Sequence, residues 1–91
     1  MTHAIVLIES ERDAMSTLGG VLADIEGVRE AYSVTGEWDF VAIVRVAATE
    51  DLARIVTERL ARVPGIARTY SMVAFEAYSR HDLEAMFSVG D

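Results

Sequence analysis

Val34-Thr35-Gly36-Glu37-Trp38-Asp39-Phe40-Val41-Ala42-Ile43-Val44-Arg45-Val46 decides how this chain folds. It opens on a glycine turn and runs into a strand. Side chains alternate across a strand, so Trp38, Phe40, Ala42, Val44 and Val46 point one way, and Asp39, Val41, Ile43 and Arg45 the other. Both sides are largely apolar, so both need cover. Helices of the same chain can cover one side. A second copy of the sheet is the economical cover for the other.

Working outward from this stretch, Val28 to Thr35 is β-rich, and the turn at Gly36-Glu37 joins it to the central strand as a hairpin. Ala4-Ile5-Val6-Leu7-Ile8 is a continuous apolar run bounded by His3 and Glu9, which predicts a strand covered on both faces. Ser10, with Asp13 three residues on, is a variant of a helix-start pattern. Met15, Leu18, Leu22 and Ile25 then recur at helical spacing, and Gly27 closes the segment. Gly19-Gly20 lies inside it, where each glycine costs roughly 1 kcal/mol against alanine. Close packing of the helix on a sheet is one reason to keep such a pair.

Thr49 is expected to cap a second helix with the apolar stripe Leu52, Ile55, Val56, Leu60 and Val63. Pro64-Gly65 stops it. Ile66 to Tyr78 reads as a long final strand. Arg68, Tyr70, Met72 and Ala74 share one of its faces; Thr69, Ser71, Val73 and Phe75 share the other. The order β-α-β-β-α-β predicts an α+β, ferredoxin-like fold, with a four-stranded antiparallel sheet and both helices on one face. Residues 1–79 form that domain. In the tail, 80–91, Leu83, Met86 and Phe87 stand at helical spacing and predict a short docked helix.

Ninety-one residues make one small domain. Yet 52% of them are hydrophobic, more than so small an interior can hold, which points to a homo-oligomer. The formal charge of −7, with fifteen acids against eight arginines, opposes direct nucleic-acid binding and attachment to anionic membranes. There is no cysteine, so disulfides, thiolate metal sites and cysteine nucleophiles are excluded. His3 and His81 have no ligand spacing, so no metal site is expected. No phosphate loop, dinucleotide fingerprint or nucleophile elbow implies a cofactor or a covalent mechanism. No run is long enough for a transmembrane helix and no leader pattern is visible, so a cytoplasmic protein is expected.

Gly36-Glu37-Trp38-Asp39-Phe40 carries more chemistry than a turn requires. Two readings fit the residues alone. In one, Gly36 opens backbone N–H groups to the carboxylate of an amino acid, Asp39 meets its ammonium, Trp38 walls its apolar part, and Thr69 and Ser71 add hydroxyls. In the other, Gly36-Glu37 is only a turn, Trp38 anchors a subunit contact, and Asp39 caps a neighbouring backbone group.

Val34-x-Gly36-x-Trp38-Asp39-Phe40 resembles the G-x-[YFW]-D motif in the ligand-binding (RAM) domain of the Lrp/AsnC regulators. Val63-Pro64-Gly65-Ile66-x-x-Thr69-x-Ser71 resembles the start of the last strand in the same domain. The likeness spans roughly residues 4 to 77. It implies a dimeric α/β-barrel of two sheets face to face, further assembly of dimers, and amino-acid binding between them at Gly36, Trp38, Asp39, Thr69 and Ser71. Trp38 stands where tyrosine is more usual. The first sheet strand begins at about His3, with no helix-turn-helix before it. The resemblance therefore implies a stand-alone effector-binding module that does not read DNA itself, and either modulates full-length Lrp/AsnC regulators by mixed assembly or senses amino acids for another partner. Three rivals share the topology: a cofactor-free monooxygenase or isomerase on the same dimeric barrel, an ACT-type regulatory domain, and an interaction domain with no ligand. An ACT-type domain usually has its glycine after the first strand, where this chain has Ser10-Glu11-Arg12-Asp13. The enzyme reading would draw on Trp38 and Tyr32 alone, so a non-enzymatic module is expected.

Overall fold

The computed structural model describes residues 1–78. The expected tail helix through Leu83, Met86 and Phe87 lies outside them. Six main elements follow in order: β1 (Thr2–Ser10), α1 (Leu18–Ala23), β2 (Val28–Ser33), β3 (Phe40–Val46), α2 (Thr49–Arg54) and β4 (Ile66–Ala74). They form one antiparallel sheet in the order β2-β3-β1-β4. This is the ferredoxin-like α+β arrangement expected from the hairpin and its flanks. No described helix is long and apolar enough to cross a membrane.

β1 runs up the middle of the sheet. Val6 is paired with Ala42 of β3 on one side and Ser71 of β4 on the other. Its even-numbered side chains, Ala4, Val6 and Ile8, are buried together with Phe40, Ala42 and Val44 of β3. Leu18 and Leu22 of α1 and Leu52 of α2 close over them. Ile55 and Leu60 complete the layer from the wider π-type stretch Ile55–Arg59 and the 3₁₀ turn Leu60–Arg62 that prolong α2. Gly19 is where α1 presses closest: a Cβ built there would lie 3.2 Å from Cε1 of Phe40. Gly20 faces open space, and nothing in the described fold explains it.

The helix starts differ from expectation. Ser10 belongs to β1, and its N–H is held by Asp39; the Glu11 N–H donates to the Gly65 carbonyl at 2.7 Å. The Ser10 hydroxyl donates to the Glu11 carbonyl and makes no bond to a helix N–H, so Ser10 does not act as a helix cap. A 3₁₀ turn, Arg12–Ala14, fills the gap before a short α1, and Met15 is left exposed rather than in the core. Ala48, not Thr49, occupies the cap position of α2, with no side-chain bond to the helix. The other strands keep the expected order with shifted ends. β3 starts at Phe40 rather than Trp38, because Asp39 and the residues before it bend away from the pleat. β4 stops at Ala74 rather than Tyr78.

The opposite side of the sheet carries Ile5, Leu7, Tyr32, Val41, Ile43, Tyr70 and Met72, placed by alternation with the buried set. Ile5, Tyr32, Tyr70 and Met72 are exposed. Charged residues, Glu9, Glu30, Arg45 and Arg68, stand around this apolar centre at the strand ends.

Candidate functional site

The β2–β3 loop is pinned at its base. The Val34 N–H donates to the Asp39 carbonyl at 2.9 Å, and the Asp39 N–H donates to the Ile8 carbonyl at 3.0 Å. Oδ2 of Asp39 accepts the Ser10 N–H at 2.9 Å, where β1 bulges between Glu9 and Ser10. A bulge leaves ladder groups unpaired, and here one of them is answered by a side chain from the loop. Asp39 thus caps a neighbouring backbone group, as one of the two readings of the motif expects. Its other oxygen, Oδ1, has no hydrogen-bond partner among the described residues.

Gly36 has φ +110°, a conformation that L side chains rarely adopt, and a Cβ there would meet nothing within 4 Å. The glycine answers a demand of the backbone, not of packing, and the space beside it is open. Trp38 is half-buried. The Arg68 guanidinium carbon sits 4.4 Å from its ring centroid, and the Tyr70 ring is 6.3 Å away at a 36° tilt. Arg68 also reaches Glu9 at 3.2 Å and Glu37 at 3.8 Å. Trp38 therefore joins the side chains of the uncovered face, contrary to the expected alternation with Phe40, because it precedes the pleated part of the strand.

Thr69 and Ser71 pair with Ile8 and Val6, whose side chains face the helices. They lie on that side of β4 and are exposed, while Arg68 and Tyr70 lie on the other. One copy of the chain thus gathers Gly36, Trp38 and Asp39 at a single loop and turns Thr69 and Ser71 to the far face of the edge strand.

Arg68, Tyr70 and Glu9 are the members that the sequence reading did not single out. The signal existed: opposite charges at Glu9 and Arg68 face each other across the β1–β4 pair. Using it requires the register, which one sequence does not supply. Elsewhere on the same face, the Tyr32 hydroxyl donates to the Glu30 carboxylate, which holds the phenol above its ordinary pKa of 10.0. His3 lies on β1, opposite Arg45 and Ala74.

The family model for the Lrp/AsnC ligand binding domain matches residues 3–83. An uncharacterised HTH-type transcriptional regulator of Pyrococcus furiosus is 40% identical over 77 residues, covering 81% of this chain and 51% of the regulator. The chain spans about half the length of the curated relatives it matches. A crystal structure from Thermus thermophilus is 40% identical with a TM-score of 0.81, covering 88% of this chain and 100% of that one. A transcriptional regulator of Neisseria meningitidis, solved as a complex with L-Met, shares the fold with a TM-score of 0.77 at 15% identity, over 87% of this chain and 53% of that one.

Proposed function

The chain belongs to the Lrp/AsnC ligand-binding-domain family, and we propose that it binds an amino acid or a similar small effector at the Gly36–Asp39 loop of assembled copies. The observation that carries this reading is the division of the candidate residues between two faces. Gly36, Trp38 and Asp39 sit at one loop beside an uncovered apolar sheet, and Thr69 and Ser71 point away from it. A pocket using all five needs β4 of a neighbouring copy. In this reading the apolar faces of two copies pack together as a dimeric α/β-barrel, and dimers meet again around the loops. The free Oδ1 of Asp39 takes the ammonium, N–H groups beside Gly36 take the carboxylate, and Trp38 flanks the side chain. The L-Met complex of the Neisseria regulator supports an amino acid as the ligand class. Effector binding then shifts the assembly, and contact with full-length regulators carries the signal to DNA, which this domain does not read itself. The protein is regulatory, not catalytic.

Thermal unfolding with each of the twenty amino acids tests this. A ligand present at one hundred times its Kd adds about 2.7 kcal/mol to stability. The rise is expected for one or a few amino acids and is lost in Asp39→Asn at unchanged oligomer size. Silence across all twenty at millimolar concentration sinks it. Flat unfolding curves from an intact oligomer would instead select the interaction domain without ligand. That reading is favoured by one observation, the commitment of Asp39 Oδ2 to the Ser10 amide.

A further inference from the structure

β4 is bare along almost its whole length. Every residue from 67 to 73 is exposed, on both sides of the strand. α1 packs on β2 and β3, and α2 on β3 and β1, so the helix layer stops short of this sheet edge. On the helix side a strip is left open. Thr69, Ser71 and Val73 lie on it, paired with the buried Ile8, Val6 and Ala4. Val73 is 54% exposed, and Phe75, just past the strand, is wholly so.

A helix fits this strip. Packed helices stand about 8–10 Å apart, the width of two strand spacings of about 4.8 Å. α2 lies over β3 and β1, so a third helix beside it stands over β4. The chain itself holds a segment of the right kind. In residues 80–91, Leu83, Met86 and Phe87 recur at the three- and four-residue spacing of one helix face. Asp82 and Glu84 open that spacing, where acids suit a helix N-terminus. As a helix the segment spans about 18 Å, within the roughly 30 Å that β4 offers. Residues 75–81 suffice for the return, since a strand-to-helix connection takes about 2–6 residues. A short tether also holds the segment near the strip at an effective concentration on the order of millimolar. We propose that residues 80–91 dock on the helix side of β4 of the same chain as a third helix, with Leu83, Met86 and Phe87 on Val73 and Phe75. The docked segment screens Thr69 and Ser71, and with them the half-site that β4 presents to a neighbouring copy. The docking stands by itself; the screening rests on the effector reading above.

Nuclear Overhauser contacts in the full chain test the docking. Signals of Leu83, Met86 and Phe87 are expected to show contacts with Val73 and Phe75, and a mixture of two isotope labellings is expected to place those contacts within one chain. Three results overturn the docking: contacts with Ile5, Ile43 and Met72 on the uncovered face instead, contacts only between chains, or none with β4. Leu83→Ser with Phe87→Ser, which leaves the charge unchanged, should erase the contacts. With the strip open, this variant should also pass from dimer to larger assembly at a lower concentration, by about tenfold if about nine chains in ten hold the segment docked. Unchanged association in a variant that has lost the contacts overturns the screening alone. A chain that stays dimeric in both forms overturns the effector reading together with the screening, while the contacts still decide the docking.

Discussion

The two faces of the sheet are written by the same strands in alternate letters, and they end in opposite conditions. On one, Val6, Ile8, Ala42 and Val44 lose all contact with water beneath α1 and α2. On the other, Ile5, Tyr70 and Met72 remain exposed, although Ile5 is as apolar as any of them and the other two are largely so. Hydrophobicity alone does not distinguish the faces. The supply of covering elements does, since two short helices suffice for one side only. Exposed apolar groups set among charged strand ends are what an interface looks like before its partner arrives.

Substitutions that treat the faces differently put this contrast at risk, and the largest effect belongs to the closed face. Ile8→Ala removes a fully buried side chain and should lower unfolding stability by about 2–5 kcal/mol in denaturant titrations. Ile43→Glu, on the uncovered face, should instead weaken association about a hundredfold in sedimentation experiments, as loss of an interface centre does, while the isolated subunit keeps its circular dichroism. An equally large loss of folding there would show that the face is not an interface.

Asp39→Ala comes next. It strands the Ser10 amide at the bulge and should cost about 1–3 kcal/mol. Amide exchange at Ser10 would rise in step, separating this structural duty from any ligand contact. Arg68→Ala is expected to be smallest, about 1 kcal/mol or less, because its stacking on Trp38 and its pairs with Glu9 and Glu37 are solvated. A larger cost, appearing only at concentrations where the protein assembles, would place Arg68 inside the interface.

The topology was legible because it follows from periods. Three- and four-residue spacing marked Leu18, Leu22, Leu52, Ile55 and Leu60 for the core, and two-residue alternation sorted Phe40, Ala42 and Val44 from Val41 and Ile43. Element ends were less legible. Ser10 has the chemistry of a helix cap, but Asp39, 29 positions on, claims its amide, and no local window contains that competition. The loop was visible as a glycine and a surplus of polar and aromatic groups. Its surroundings were not, since Arg68 and Tyr70 reach Trp38 only through the β1–β4 register.

The central position of β1 also sets the order in which the molecule can be assembled. Glu9 and Arg68 are neighbours across the sheet but 59 positions apart in the chain. The β2–β3 hairpin can form from local contacts, whereas the β1–β4 ladder must wait for a long loop to close, which slows folding. During that wait β1 keeps an unpaired edge, and such an edge can recruit a strand from another molecule. Refolding yield should therefore fall as protein concentration rises, and a segment spanning Ile66–Ala74, supplied in trans, should compete for the vacant edge.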